Sequence, residues 1–69
     1  MVSVFKTSVS SKKKVKMVKP HLDNLHEITK WNFDLHDCDN ILRIESNEEI
    51  SLLVINVLKK SGFQCLELE

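Results

Sequence analysis

Residues 2–25, VSVFKTSVSSKKKVKMVKPHLDNL, contain the change of hydrophobic period that decides the fold. Residues 2–9 alternate, with Phe5, Thr7 and Val9 on one face, and this pattern predicts a half-buried strand. From about Ser11 the apolar residues recur at the spacing of a helix with one buried stripe. That stripe contains Val15, Val18, Leu22 and Leu25.

The predicted first helix has a cap at its start and a proline in its interior. Either Ser10 or Ser11 can cap its N-terminus with a side-chain oxygen. Pro20 lies inside the helical pattern and has no backbone N–H, so we expect a bend or a local break there.

Residues 28–44 indicate two strands joined by a turn. Trp31 and Phe33 alternate with polar residues in the first strand, and the polar segment HDCDN, residues 36–40, follows it as a turn. Leu42 and Ile44 then point inward from the second strand. These two strands form a predicted hairpin.

The segment SNEE, residues 46–49, predicts the start of a second helix. Ser46 and Glu49 have the spacing of a capping box, and Gly62 suits a left-handed residue after the helix end. We expect Leu52 and Ile55 to lie off the buried face of this helix and to be exposed. The expected core stripe contains Ile50, Leu53, Val54, Val57 and Leu58.

The ending FQCLELE, residues 63–69, predicts a short last strand and completes a β-α-β-β-α-β order. Right-handed crossovers then give an α+β, ferredoxin-like sandwich, in which two helices cover one face of a four-stranded antiparallel sheet. The 69 residues suffice for one small domain, so we expect residues 1–69 to form a single unit.

Composition excludes several classes of protein. No apolar run approaches the roughly 20 residues that cross a bilayer, so we expect no membrane insertion and a cytoplasmic location. The net charge is +0 and no aromatic residues alternate with the lysines, which argues against nucleic-acid binding. Two cysteines are too few for a disulfide scaffold, and we expect both to be free thiols.

The order of elements and three stretches of sequence resemble the heavy-metal-associated domain, the fold of copper-chaperone-like proteins and of the N-terminal modules of metal-transporting ATPases. One stretch is FKTSV, residues 5–9, which leads into the first helix. Another is the ending VLKKSGFQCLEL, residues 57–68, which is similar to the family's VxxAG[FY]xA close and puts Cys65 in place of a small buried residue. The third is the spaced apolar set Ile28, Trp31, Phe33 and Leu35.

The resemblance also locates the family's metal site and shows what has replaced it. In that family the loop after the first strand carries a C-x-x-C pair, whose thiolates hold monovalent copper or a similar soft metal. The resemblance puts Ser11 and Lys14 at the two cysteine positions, with Lys12 and Lys13 between them. A hydroxyl is a poor ligand for a soft cation, and a protonated lysine has no lone pair. We therefore expect no metal at Ser11 and Lys14, and no cofactor.

His36 and Cys38 in the predicted turn offer an alternative metal site. They lie two positions apart and are flanked by Asp37 and Asp39, so they could hold copper or zinc weakly. Structural zinc normally has four nitrogen or sulfur ligands. A segment of this kind is more often a polar, acidic turn than a metal site. His21 and His26 have no partner at ligand spacing, and we expect both at the surface.

Six lysines are expected at one end of the fold, around the loop after the first strand. The lysines of the first helix, with Lys19, are a solvated face that aids solubility, or the lysines neutralise the acidic turn, or the six form a docking site for an acidic protein surface or a small anion. The set contains Lys12, Lys13, Lys14, Lys16, Lys59 and Lys60.

No combination of nucleophile, base and orienting group, and no glycine-rich phosphate loop, indicates an enzyme. The sequence thus favours a non-enzymatic interaction or accessory domain with a basic docking end, as a monomer or weak homodimer. The alternative is a weak metal carrier that uses His36 and Cys38.

Overall fold

The computed structural model describes residues 1–36 and 38–68 of the chain. The elements in chain order are β1 (Val2–Thr7), α1 (Lys12–Asp23), β2 (Ile28–Asp34), β3 (Ile41–Ser46), α2 (Ser51–Lys60) and β4 (Cys65–Leu68). The sheet has the strand order β2-β3-β1-β4, and every neighbouring pair of strands is antiparallel. The predicted ferredoxin-like sandwich is therefore confirmed.

The core lies between one face of the sheet and the two helices. The face of β1 predicted from alternation is confirmed, because Phe5, Thr7 and Val9 are buried. Leu42 and Ile44 point inward from β3 as expected. Removing such apolar surface from water is the main force that holds a chain of this size together. The buried apolar cluster contains Phe5, Val9, Val18, Leu22, Leu42, Ile44, Ile50, Val54 and Leu58.

Helix α1 starts at its serine cap and continues through its proline. Ser11 is the N-cap, and its Oγ accepts a hydrogen bond from the backbone N–H of Lys14 at 3.2 Å. The helix runs to Asp23 without the break that Pro20 suggested. Pro20 still serves as an acceptor near the helix end, because its carbonyl oxygen receives the N–H of Asn24 at 3.1 Å.

The predicted start of the second helix at Ser46 is wrong. Ser46 is the last residue of β3, and its backbone N–H donates to the carbonyl oxygen of Met1 at 2.8 Å. The Oγ of Ser46 donates to the carbonyl oxygen of Glu48 at 2.8 Å and accepts no N–H of α2. Helix α2 begins at Ser51, whose N–H donates to Oε1 of Glu49 at 2.9 Å.

The buried stripe of α2 is narrower than predicted. Leu53 is 42% exposed, so its assignment to the core is wrong, whereas Leu52 is 78% exposed as expected. Ile55, expected at the surface, is half-buried and packs against the core. The N-cap of α2 is Ile50, four positions later than the capping-box spacing implied.

Gly62 ends α2 in the left-handed conformation, as predicted, with a φ of 90°. The N–H of Gly62 donates to the carbonyl of Lys59 at 3.0 Å, and the N–H of Phe63 donates to that of Leu58 at 2.9 Å. These two bonds define a Schellman motif, which turns the chain from α2 into β4. Within the described part of the chain, no helix is long and apolar enough to cross a membrane.

Candidate functional site

Three connections meet at the end of the molecule where β1 finishes. They are the β1–α1 loop, the β2–β3 turn and the α2–β4 loop. Thr7 at the end of β1 donates from its Oγ1 to the carbonyl oxygen of Asn40 in the turn at 2.7 Å. Ser8 donates its N–H to the carbonyl of Gln64 at 3.1 Å and accepts the N–H of Gln64 on its Oγ at 2.8 Å. Hydrogen bonds from the end of β1 therefore hold the β2–β3 turn and the α2–β4 loop beside the β1–α1 loop, in which the sequence predicted the site.

The β2–β3 turn is stabilised by contacts with β1. The N–H of Thr7 donates to the carbonyl of Asp39 at 3.3 Å, and the Asp39 carboxylate lies 3.3 Å from Nζ of Lys6. Asn40 has a φ of 49°, a left-handed conformation that asparagine tolerates better than most residues. A lysine of β1 thus pairs with Asp39 of the turn.

The two residues that the resemblance puts at ligand positions, Ser11 and Lys14, lie at the start of α1. The Oγ of Ser11 accepts the N–H of Lys14, and Nζ of Lys14 donates to the Oγ of Ser10 at 3.0 Å. The Ser11 oxygen is hard and already accepts a hydrogen bond, and the Lys14 ammonium repels a cation. These residues do not fit a soft, thiolate-bound metal ion.

His36 and Cys38, the alternative ligands, are both exposed at this end of the molecule. The N–H of His36 donates to Oδ1 of Asp34 at 3.1 Å, which fixes the backbone at the start of the turn. Asp37, the predicted neighbour of this pair, lies outside the described residues. Across residues 1–36 and 38–68, no three His, Cys, Asp or Glu side chains form a group that could hold a metal ion.

We use the term basic end for the six lysines Lys12, Lys13, Lys14, Lys16, Lys59 and Lys60. Chain topology brings them together, because α1 starts and α2 ends at the side where β1 finishes. The first turn of α1 contains no acidic residue. Among the described residues, the ion pairs are Lys6–Asp39, Lys19–Asp23 and His26–Glu27, so none involves the basic end.

The two thiols differ in their surroundings. Cys38 is exposed, whereas Cys65 on β4 packs against the core. Burial, together with the nearby charge of Glu67, raises the pKa of the Cys65 thiol to about 11. Since the thiolate is the reactive form, Cys65 behaves as the small apolar residue that the sequence predicted.

A polar cluster at the other end of α1 was not identified from the sequence. Oδ1 of Asp23 accepts the indole N–H of Trp31 at 2.9 Å, and Oδ2 accepts from Nζ of Lys19 at 2.9 Å. These hydrogen bonds, that from Lys19 first, lower the pKa of Asp23. Lys19 also lies 5.8 Å from the centre of the Trp31 ring. The four-residue spacing of Lys19 and Asp23 within one helix could have predicted their ion pair. Trp31 lies in another element, so no spacing in the sequence predicted its contact with Asp23.

Two solved domains have the same fold as this chain. No protein-family profile and no curated protein matches the chain. The chain is similar to the yeast copper transporter domain Ccc2a, solved in its apo and Cu(I)-loaded states, with a TM-score of 0.81, 16% identity and coverage of 99% of this chain and 94% of that one. It is also similar to the N-terminal domain of ZntA in its Zn(II) form, with a TM-score of 0.83, 14% identity and coverage of 99% and 92%. At this identity the likeness shows the fold alone, which is the ferredoxin-like sandwich expected from the sequence.

Proposed function

We propose that the chain is a heavy-metal-associated domain that works as a non-enzymatic interaction or accessory module and docks a carboxylate-rich protein surface at its basic end. One observation carries the proposal. At the end of the fold where Ser11 and Lys14 stand at the ligand positions, the six lysines have no ion pair with any other described residue. Their charge is therefore available to a partner.

The lysines at the start of α1 do not stabilise the helix. Positive charge at a helix N-terminus opposes the macrodipole, which costs a few tenths of a kcal/mol or more per residue. Lys12 and Lys13 are exposed, so neither offsets this cost by packing. Charges concentrated at one end of a molecule with net charge +0 make a dipolar surface, which orients an approaching acidic partner. This attraction weakens as salt is added, because exposed charges are screened over about 10 Å at 0.1 M.

The two structurally similar domains support a role of this chain near metal-handling proteins. One is a copper transporter domain and the other was solved with Zn(II). This chain keeps their fold but has a hydroxyl and an ammonium where a metal needs thiolates. An accessory role beside metal-handling proteins is consistent with both facts.

Binding of a fluorescent polyglutamate peptide, measured by anisotropy at low salt, tests the proposal. We expect Lys12→Glu/Lys13→Glu to weaken binding at least about tenfold, since two exposed cations become anions at the basic end. The matched control is Lys30→Glu/Arg43→Glu, which makes the same change of net charge on the open face of the sheet. We expect the control to change the affinity less than about threefold.

Two results of this experiment would contradict the proposal. If both double variants lose affinity equally, the peptide responds to net charge and not to the basic end. If the unmodified chain does not bind the peptide, an acidic partner has no support. Inorganic phosphate, added as a competitor, shows whether a small anion occupies the same end.

The second candidate function is a metal carrier that uses His36 and Cys38. It is favoured by the likeness to domains solved with Cu(I) and Zn(II). The absence of a third ligand among the described residues counts against it. A His36→Ala/Cys38→Ser variant separates the two candidates, because it removes this metal site and leaves every lysine of the basic end.

A further inference from the structure

Strand β2 forms one edge of the sheet, because β3 is its only neighbouring strand in the described chain. The pairing of β3 with β1 shows which backbone groups face that edge. Ser46 of β3 donates its N–H to the carbonyl of Met1 at 2.8 Å and accepts the terminal ammonium of Met1 on its own carbonyl at 2.7 Å. Backbone groups of successive residues point to opposite sides of a strand, so every second residue of β3 bonds β1 and the residues between bond β2.

The same alternation identifies the backbone groups of β2 that point away from the sheet. Arg43 is one of the β3 residues that bond β2, and its partner in the register is Asn32. Trp31 and Phe33, on either side of Asn32, therefore direct their N–H and C=O groups outward. No turn, loop or cap hydrogen bond of the described residues reaches these groups. The irregularity of the strand lies before Lys30, so residues 30–34 keep an unbroken register with β3.

The side chains of this segment are complementary to their own reversed order. Residues 30–34 read KWNFD, a cation, an aromatic ring, an amide, a second aromatic ring and an anion. Lys30, Asn32 and Asp34 are exposed on the open face of the sheet. Trp31 and Phe33 are half-buried on the opposite face, where they pack against the core. A second copy of the segment, laid antiparallel, therefore offers the opposite charge at each end and a ring between.

We propose that two copies of the chain pair their β2 strands antiparallel and join their sheets into one. A twofold axis at Asn32, perpendicular to the sheet, puts Trp31 opposite Phe33 of the second copy and Phe33 opposite Trp31 of the second copy. Both residues of each pair direct their N–H and C=O groups across the new contact, so each pair exchanges two backbone hydrogen bonds. The outward groups of the edge are then satisfied.

Opposite charges select this register. On the open face, Lys30 lies opposite Asp34 of the second copy, and the rotation repeats the contact. Moving the axis to Trp31 or to Phe33 removes both contacts, and a parallel arrangement in register puts like charges side by side. Within one chain, Lys30 lies opposite Glu45 of β3, but neither Lys30 nor Asp34 has an ion pair with another described residue.

The helix side of the edge has room for the aromatic pair. The indole N–H of Trp31 is held by Asp23 of α1 at 2.9 Å, which fixes the ring beside the edge. A groove of about 360 Å³ between α1 and β2 is lined by Trp31, Leu22 and Ile28. This groove gives the Phe33 ring of the second copy an apolar surface to pack against, and aromatic pairs across neighbouring strands are stabilising.

The other edge strand lacks these features. The only charged residue of β4 is Glu67, whose carboxylate accepts the hydroxyl of Ser51 at 2.6 Å, so β4 offers no pair of opposite charges to a copy of itself. A twofold contact closes after two subunits and produces no filament. One pair of short strands makes a small interface, of the class that buries less than about 1,200 Å² and binds weakly.

Sedimentation equilibrium of the reduced, full-length chain at low salt tests the inference. From about 0.05 to about 1 mM we expect a reversible monomer–dimer equilibrium with no larger species. Lys30→Glu puts two pairs of like charges into the dimer and should raise its dissociation constant at least about tenfold. The matched control is Lys59→Glu, the same change on α2, which packs against β4 at the opposite edge. It should change the dissociation constant less than about twofold.

The double variant Lys30→Glu/Asp34→Lys tests the register, because it exchanges the two charges and restores attraction at both ends. We expect its dissociation constant to return to within about threefold of that of the unmodified chain. Circular dichroism checks its folding, since Oδ1 of Asp34 also accepts the N–H of His36.

Amide hydrogen exchange, resolved by NMR, tests the backbone contact without any substitution. The N–H groups of Trp31 and Phe33 face solvent in the monomer, so their exchange should slow at least about twofold between 0.05 and 1 mM as the dimer forms. The N–H groups of Lys30 and Asn32 already bond β3 and serve as the control, with little change expected. This measurement carries the test of the register if the double variant unfolds.

Three results would overturn the inference. The first is a chain that stays monomeric over the whole concentration range. The second is a Lys30→Glu variant that dissociates no more than Lys59→Glu. The third is a dimer in which the N–H groups of Trp31 and Phe33 exchange as fast as in the monomer, which would place the contact elsewhere on the molecule.

Discussion

Replacing Ser11 by alanine removes the one side-chain cap of α1 and tests the role that the structure gives this residue. In the structure, Oγ of Ser11 accepts the N–H of Lys14 at 3.2 Å. Without the hydroxyl, one more N–H in the first turn loses its protein acceptor, and that turn contains no acidic residue to offset the lysines. We therefore expect Ser11→Ala to lower the free energy of unfolding.

The expected loss is about 1 kcal/mol, within the range of about 0.5 to 2 kcal/mol for serine caps. A domain of 69 residues has a total stability of about 3 to 10 kcal/mol, so this is a substantial fraction. The melting temperature should fall by about 4 to 8 °C. In urea, the midpoint should fall by about 1 M or less, because m-values of small domains are about 1 kcal/mol/M or more.

Urea unfolding followed by the fluorescence of Trp31, the only tryptophan, measures the effect. Ser10→Ala is the matched control, because its hydroxyl accepts only the exposed Nζ of Lys14. We expect this control to change stability by less than about 0.5 kcal/mol. Ser11→Asp keeps a capping oxygen and adds negative charge beside the lysines, so it should be at least as stable as the unmodified chain. Its advantage should shrink as salt is added.

Equal effects of Ser10→Ala and Ser11→Ala would refute this reasoning, because only Ser11 bonds a backbone N–H of α1. An unchanged midpoint for Ser11→Ala would show that the hydroxyl is free. In that case the capping hydrogen bond could no longer be a reason why Ser11 does not bind a metal ion.

Three further predictions follow from single residues. The pKa of Asp23 is lowered in the folded chain. The ionised carboxylate therefore adds to the free energy of unfolding above the ordinary pKa of 3.8, and this stabilisation is lost as the pH falls through the lower pKa of the folded chain. The urea midpoint of the Asp23→Asn variant should therefore fall less than that of the unmodified chain as the pH is lowered from about 6 to about 2. At pH near 8 a thiol reagent should modify exposed Cys38 quickly and Cys65 slowly, because burial raises the Cys65 pKa to about 11; loss of the slow phase instead of the fast phase in Cys38→Ser would contradict this. Gly62→Ala should cost about 1 to 2 kcal/mol of unfolding free energy through backbone strain at a φ of 90°, since no atom lies within 4 Å of the added Cβ, and an unchanged melting temperature would refute this.

The sequence predicted those features of the fold that depend on local pattern. Alternation fixed the buried face of β1, and Gly62 fixed the end of α2, because each depends on a few neighbouring residues. The start of α2 was missed because Ser46 has two possible roles. Its spacing from Glu49 suits a helix cap, but its N–H bonds Met1, which is distant in sequence, and this long-range pairing keeps it in β3.

The elements around the candidate site could be predicted from the sequence, but the contacts between them could not. The chain order placed the β2–β3 turn at the same end of the fold as the segment with Ser11 and Lys14, whose role as a site stays a prediction. The pairing of Asp39 with Lys6 depends on the register of β1 against β3. The contact of Asp23 with Trp31 likewise depends on how α1 lies on β2, which no spacing within either element reveals.

Titration of the reduced chain with Cu(I) and Zn(II), followed by native mass spectrometry, tests the central claim most directly. The claim is that this ferredoxin-like fold holds no soft metal in its β1–α1 loop, where Ser11 and Lys14 start a helix. We predict no stoichiometric ion on the unmodified chain and one Cu(I) on a Ser11→Cys/Lys14→Cys variant, which restores the two thiolates. One Cu(I) retained by the unmodified chain and by a His36→Ala/Cys38→Ser variant would contradict the claim.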